Sequence, residues 1–137
     1  MREIIELNTT QREVLVDITE EVRAIVQRSG VRNGLAALYA HHTSAAVMIQ
    51  EHWDDSVPTD MLQLLRTLAP PGVWRHDQVD GNGDAHLKAG LVGPSQTIPI
   101  MDGALGLSRW QHVFFCEFDG PRTGRRVICT ILADGGG

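Results

Sequence analysis

The spacing of apolar side chains predicts two short strands before the first helix. Residues 12–18 alternate apolar and polar side chains, which is typical of a half-buried β-strand. Residues 2–8 are also rich in isoleucine and leucine, and a polar turn at 8–11 joins the two segments. This arrangement predicts an opening β-hairpin.

Three stretches have the apolar spacing of amphipathic helices. The first begins at Thr19, a residue type favoured at N-caps, and ends at Ser29-Gly30. The second begins near Pro58, which the first turn of a helix tolerates. A short third helix is predicted from about residue 84 to 92. The predicted buried stripe of the second helix consists of Met61, Leu62, Leu64, Leu65 and Leu68.

The remaining apolar segments predict further strands. Residues 34–40 and 45–49 are apolar on both faces, which is typical of strands covered on both sides. An edge strand is predicted at 97–100, because its proline cannot donate to a ladder. Segments 110–118 and 126–132 flank a Gly-Pro turn and predict a closing hairpin.

Length and charge narrow the class of protein. The chain has 137 residues, which suits one domain spanning 1–137 with a disordered tail at about 134–137. Its net charge of −5, without a Lys/Arg block, argues against a nucleic-acid binder. No apolar run approaches the ~20 residues that cross a membrane, and no signal peptide opens the chain. We therefore expect a soluble, cytoplasmic protein with neither nucleic-acid nor membrane partners.

The two cysteines, Cys116 and Cys129, lie in apolar strand-like segments without CxxC spacing. Buried free thiols in a reducing compartment are favoured over a disulfide or a zinc knuckle. Cys116 is not expected to be a nucleophile, because no neighbouring cation in the sequence would lower its pKa.

Three histidines are candidate metal ligands. His76 and His86 flank an acidic, turn-rich stretch, and His42 lies between two predicted strands. Three neutral imidazoles with one open position form a common catalytic zinc arrangement, in which Glu51 would be the base or a fourth ligand. The alternative is that each histidine is a satisfied polar residue at a strand end or helix cap. Nothing local excludes the other histidines, His41, His52 and His112, although His112 is better interpreted as a packed strand residue.

Two segments are candidates for binding a small anion. Asn82-Gly83-Asp84 predicts a helix start, whose unpaired N–H groups would cradle an anion, with an ordinary helix entry as the alternative. Arg122, at the end of a β-turn that begins at Asp119, would clamp a phosphate or carboxylate. Glu117 lies among apolar neighbours, and we expect it to pair with Arg122 or a histidine.

Short motifs extend over nearly the whole chain, from about residue 10 to 132. They include His42-Thr43-Ser44-Ala45-Ala46, Gln50-Glu51, Gly81-Asn82-Gly83-Asp84-Ala85-His86-Leu87, Gly93-Pro94-Ser95, Trp110-Gln111 and Glu117-Phe118-Asp119-Gly120-Pro121-Arg122. Their order and spacing resemble the YjbQ-like family, also described as secondary thiamine-phosphate synthase-like proteins. The resemblance implies a compact α+β single domain, an antiparallel β-sandwich with two to three helices, that assembles as a homotrimer.

The resemblance also implies a function. By analogy, the resemblance implies a weak thiamine-phosphate synthase activity, which would join a pyrimidine methyl diphosphate to a thiazole phosphate and release diphosphate. The implied site has a divalent metal, with zinc favoured, on His42, His76 and His86, and has Glu51 and Arg122 alongside. His52-Trp53 departs from the small polar residues common in the family, which concerns substrate choice more than fold. A metal-dependent hydrolase and a non-catalytic trimeric binder of a small anionic metabolite remain alternatives.

Overall fold

The computed structural model describes residues 1–135, and its strands fall into two groups of pairing partners. The strands are β1 (Arg2–Thr9), β2 (Val14–Asp17), β3 (Gly34–Ala40), β4 (Ala45–Glu51), β5 (Ser95–Met101), β6 (Ala104–Leu105), β7 (Gln111–Glu117) and β8 (Arg122–Ala133). The α-helices are α1 (Thr19–Ser29), α2 (Ser56–Leu68) and α3 (Gly83–Val92), and a 3-10 helix spans Arg75–Gln78. Of the predicted disordered tail at 134–137, residues 136–137 lie outside the described residues.

Two antiparallel sheets, in the orders β1-β8-β3-β5-β6 and β2-β7-β4, pack face to face. Successive side chains of a strand point to opposite faces, so Val47 and Phe115 enter the core between the sheets. Their neighbours Met48 and Phe114 instead pack under α2 and α3. The predicted α+β sandwich with two to three helices is confirmed.

Both predicted hairpins are wrong, because the chain changes sheet at each turn. β1 pairs with β8, whereas β2 pairs with β7 in the other sheet. The turn at 118–121 likewise leads from β7 in one sheet to β8 in the other. Alternation fixes which face of a strand is buried, but it does not identify the strand beside it.

Strand β4 is covered on both faces as predicted, whereas β3 is not. β3 alternates buried and exposed residues, and Leu35 and Tyr39 are 43% and 46% exposed. They lie on the outer face of the five-stranded sheet, which no other element of residues 1–135 covers. β5, the predicted edge strand, has only the two-residue β6 beyond it.

The helices begin and end close to the predicted residues. α1 ends at Gly30, whose φ of 68° is the left-handed conformation that glycine adopts without strain. The predicted stripe of α2 is only partly buried, since Leu65 is buried but Leu64 and Leu68 are 50% and 57% exposed. No helix among the described residues is long and apolar enough to cross a membrane.

Both cysteines are buried free thiols, as predicted. Burial raises the pKa of each thiol, and that of Cys129 reaches about 11. A thiol with a raised pKa remains protonated at neutral pH, so neither cysteine has nucleophile character.

Candidate active site

The three predicted histidines lie near one another at the start of β4. The turn between β3 and β4 carries His42 and Thr43, and the first turn of α3 carries His86. The ring centroids of His76 and His86 are 4.8 Å apart in an edge-to-face arrangement. His42 and His86 both line a surface cavity between the β3–β4 turn and α3. The fold thus brings these side chains together from three separate segments.

Asp77 holds the loop that carries His76 against the start of α3. Its Oδ1 accepts a hydrogen bond from the Gly83 N–H (2.8 Å), and its Oδ2 accepts one from the Trp74 N–H (3.1 Å). These backbone hydrogen bonds lower the pKa of Asp77. Sequence reasoning missed this residue, although an aspartate six positions before a helix-opening glycine was a visible signal.

The segment Asn82-Gly83-Asp84 has the contacts of an ordinary helix entry. The Gly83 N–H already binds Asp77, so it is not free for an anion. Asn82 Nδ2 donates to Asp119 (2.8 Å), and the Asp84 side chain is 1% exposed. The structure therefore favours the helix entry over the anion cradle.

The hydrogen bonds of His86 and His42 give the two rings opposite roles. His86 Nδ1 donates to the Thr43 carbonyl (3.0 Å), which leaves its Nε2 as a free lone pair. His42 Nδ1 accepts from the Ser44 N–H (3.2 Å), so the hydrogen of a neutral His42 lies on Nε2. Burial, and then the charges of Arg125 and Arg122, lower the pKa of His42 and keep it neutral. His42 is thus a donor, whereas His86 can act as a base or ligand.

The ring nitrogens of the three histidines do not converge as tightly as those of a formed metal site. Among residues 1–135, one group of at least three His, Cys, Asp or Glu side chains has all its ligand atoms within 4.8 Å of one another. That group consists of Asp17, His52 and His112 and lies elsewhere.

A buried ion pair supports the His42 side chain through Ser44. Glu117 is fully buried and pairs with Arg125. The expected pairing of Glu117 with Arg122 or a histidine is wrong. Arg125 Nη2 also donates to Ser44 Oγ (3.0 Å), and that hydroxyl lies 3.0 Å from His42 Nδ1. The sequence signal for Arg125 was indirect: a buried acid requires a buried cation.

Arg122 is the first residue of β8 and pairs with Asp119 of the preceding turn, not with Glu117. It donates to Asp119 through Nη2 (2.9 Å) and is 42% exposed. Its Nε donates to the carbonyl of the same aspartate (3.1 Å), so the guanidinium staples the turn. The expected Glu117 pairing with Arg122 is wrong because the turn sequence itself offers Arg122 a nearer carboxylate.

Lys88 is buried in ion pairs with Asp84 and Glu13 and has a structural role. It is 0% exposed, and its Nζ lies 2.9 Å from Asp84 and 3.2 Å from Glu13. Arg12 joins the same network through Asp84 (3.3 Å). These pairs fix α3 to the segment between β1 and β2.

Arg75 contributes a positive charge to the cavity beside His76 and His86. It lines a cavity of about 680 Å³ together with His76 and His86. The remaining lining residues are Thr43, Trp74, Gly83 and Leu87. The cavity therefore combines a guanidinium, two imidazoles and an indole ring in a mostly apolar lining.

Glu51 does not reach this cavity within the chain. It lies at the far end of β4, beside Gln111 of β7. At about 3.3 Å per residue, the strand separates its two ends by about 20 Å. The structure therefore does not bring the predicted base to His42, His76 and His86.

Comparisons with known proteins place the whole chain among relatives of similar length. A family model described as "UPF0047 protein YjbQ-like" matches residues 3–134. A UPF0047 protein of Methanocaldococcus jannaschii is 45% identical over 129 residues, covering 94% of this chain and 92% of its own. The UPF0047 protein YugU of Bacillus subtilis is 40% identical, with 90% and 93% covered.

Solved structures agree with this match. A protein of unknown function from Sulfolobus solfataricus has a TM-score of 0.95 at 33% identity, covering 98% of this chain and 97% of its own. A hypothetical protein of Aeropyrum pernix has a TM-score of 0.93 at 35% identity, with 98% and 99% covered.

Proposed function

The chain belongs to the YjbQ-like UPF0047 family, and from this premise we propose that it is a small metal-dependent enzyme acting on a phosphorylated metabolite. One observation carries the proposal. The Thr43 carbonyl fixes the hydrogen of a neutral His86 on Nδ1, which leaves Nε2 unprotonated in a ring whose centroid lies 4.8 Å from that of His76. A metal-binding histidine commonly donates its other N–H in this way.

The metal would be held by His86 and His76, and the donor set suits zinc. Imidazole nitrogen is a preferred zinc ligand, and bound zinc lowers the pKa of a water molecule toward neutrality. His42, predicted as the third ligand, carries its hydrogen on Nε2 in this arrangement. We assign His42 to donate that hydrogen to an oxygen of the substrate.

Arg75 would bind the anionic group of the substrate. Its guanidinium lines the same cavity as His76 and His86, and a planar guanidinium can bind two phosphate oxygens at once. The predicted substrate contact Arg122 is occupied by Asp119, so we assign the phosphate to Arg75 first. This residue set favours a reaction in which phosphate or diphosphate departs as an anion.

The synthase reaction remains a specific version of this proposal. Joining a pyrimidine methyl diphosphate to a thiazole phosphate releases diphosphate, whose developing charge requires cations nearby. We expect pyrophosphate release only when both substrates are present, and its loss in Arg75→Ala. Release of phosphate from either substrate alone would identify a hydrolase instead.

We also propose that the protein is a homotrimer through the outer face of its five-stranded sheet. That face carries exposed apolar side chains on three adjacent strands, namely Ile4, Leu35, Tyr39 and Leu132. Uncovered apolar patches commonly mark interaction surfaces. Light scattering after size exclusion tests the proposal, and a monomeric mass for wild type would refute it.

Metal analysis of protein purified without a histidine tag tests the central proposal. Wild-type protein should retain one zinc ion per chain more than His86→Ala does, whereas His41→Ala should retain as much as wild type. His41 is a matched control because it is an exposed histidine in the turn that carries His42, outside the proposed ligand set. A metal-free wild type that takes up no added zinc would refute the metal centre. Ligand-induced thermal shifts without turnover would then favour the non-catalytic binder.

A further inference from the structure

A second cluster of ligand-type side chains lies at the opposite end of β4. The carboxylate of Asp17, at the end of β2, lies between two imidazoles, those of His52 and His112. Asp17 Oδ2 is 2.7 Å from the Nδ1 atom of each ring. The three side chains are 26% to 28% exposed, so solvent ions reach them.

The Asp17 carboxylate is fixed in place by the start of α1. Its Oδ1 accepts hydrogen bonds from the Thr19 N–H (2.9 Å) and from the Thr19 hydroxyl (2.6 Å). This leaves Oδ2 directed at the histidines. A rigidly oriented first ligand reduces the ordering cost of binding an ion.

Both ring nitrogens of His52 face carboxylates. Nδ1 faces Asp17, and Nε2 lies 3.1 Å from Asp55 Oδ1. A neutral imidazole has one N–H, so it can donate to only one of them. If Nε2–H of a neutral ring donates to Asp55, the Nδ1 lone pair faces the Asp17 oxygen, and either a second proton or a metal cation must lie between the two. A carboxylate on the outer nitrogen is also the usual support of a metal-binding histidine.

We propose that Asp17, His52 and His112 form a binding site for a divalent transition metal, with Zn²⁺ as the preferred ion. Two imidazole nitrogens and one carboxylate oxygen are a ligand set that zinc accepts, with water completing the coordination. Zinc bonds of about 2.0–2.1 Å place tetrahedral ligands about 3.3 Å apart, so each ring must swing outward by about 0.6 Å. The exposure of both rings allows this movement.

A bound ion would link all three strands of the three-stranded sheet. Asp17 is on β2, His112 is on the central strand β7, and His52 follows β4. The cluster lies at the end of β4 opposite His42 and His86, so it is separate from the cavity beside His86.

Zn²⁺ titration of the untagged, full-length His86→Ala protein tests the site by itself. We expect one Zn²⁺ per chain, with thermal stabilisation, and at least a 100-fold loss of affinity when His52→Gln or His112→Gln is added. His41→Ala in the same background should bind as tightly as its parent. Failure of His86→Ala to bind Zn²⁺, or unchanged binding in both glutamine variants, would overturn the proposal and leave a proton-bridged cluster only.

The result also separates this site from the proposed active site. If only the active-site metal is wrong, the wild type binds one Zn²⁺ that His52→Gln loses and His86→Ala keeps. If only the Asp17 site is wrong, the wild type binds one Zn²⁺ that His86→Ala loses and His52→Gln keeps.

A second measurement avoids substitution of the ligands. The chain has three tryptophans, and two of them, Trp53 and Trp110, stack edge-to-face beside His52 with ring centroids 4.7 Å apart. Trp74→Phe removes the tryptophan of the other cavity, so the remaining fluorescence reports on this end of the sheet. Saturable quenching by Ni²⁺, reversed by a chelator, is expected. Absence of saturable quenching would contradict the site even if the glutamine variants misfold.

Discussion

Arg125 and Glu117 form an ion pair in which the guanidinium is 4% exposed and the carboxylate is fully buried. Arg125 Nε donates to Glu117 Oε1 (2.9 Å), and Nη2 donates to Oε2. The Thr9 hydroxyl adds a third hydrogen bond, to Oε1 (2.7 Å). The pair joins β7 to β8 across the two sheets and supports the turn that carries His42 through Ser44.

Arg125→Ala should destabilise the protein strongly. The substitution leaves the Glu117 carboxylate buried without its cation, which typically costs about 3–5 kcal/mol of unfolding free energy. Arg122→Ala is the matched control, because it removes an arginine from a 42% exposed ion pair worth at most about 1 kcal/mol. Urea unfolding of both variants measures the difference. Equal losses would show that burial of the pair does not determine its contribution.

Glu117 should make stability depend on pH in the acidic range. Burial by itself would raise the pKa of Glu117, but hydrogen bonds from Arg125, Thr9 and Asp119 outweigh burial and hold the pKa below its ordinary 4.5. A depressed folded-state pKa contributes stability that is present above the unfolded-state pKa and is lost as pH falls through the folded value.

Comparison with Glu117→Gln isolates this contribution from the other carboxylates. Wild type should be the more stable protein at pH 7, and the difference should shrink as pH falls below about 4.5, because glutamine mimics the protonated acid. Urea midpoints measured from pH 7 to pH 3 give the difference directly. A gap that stays constant over this range would contradict the depressed pKa.

Gly83→Ala should disturb the loop that carries His76. An added Cβ would lie 2.9 Å from both Asp77 Oδ1 and Trp74 Cβ, so the loop must shift at a cost of about 1–3 kcal/mol. Gly90→Ala, in the same helix, meets nothing within 4 Å and should stabilise by about 0.5–1 kcal/mol. Thermal unfolding compares the two variants. A neutral Gly83→Ala would mean that Asp77 does not hold the loop.

The elements that the sequence predicted correctly depend on local interactions. The residue that stops α1 lies beside it, and Gly30 could therefore be identified without knowing the rest of the fold. The predicted N-cap Thr19 is instead the first helical residue, and Ile18 occupies the N-cap position. Strand partners are different, because Leu15 pairs with Cys116 and Ile5 with Val127 through contacts distant in sequence. Neither partner leaves a signal in the strand itself.

The candidate site shows the same division. The resemblance named His76 and His86, which do meet, but it also named Glu51, which the direction of β4 carries away. The roles of Arg125 and Asp77 follow from buried hydrogen bonds that exist only after the sheets have packed. A single sequence shows which side chains are polar, but not which polar atoms burial forces to pair.

The opposite hydrogen-bonding roles of His42 and His86 lead to a prediction that separates two forms of the metal centre. His86→Ala should lower zinc affinity by at least about 100-fold, since loss of an outer support alone costs about 10–100-fold. His42→Ala should change zinc affinity by less than about tenfold while weakening binding of a phosphorylated ligand, because its Nδ1 accepts from Ser44 and its Nε2 carries the hydrogen. Calorimetric titration in the His52→Gln background excludes the Asp17 cluster. Equal losses of zinc affinity in both variants would instead establish the three-histidine centre and require the His42 hydrogen to move from Nε2.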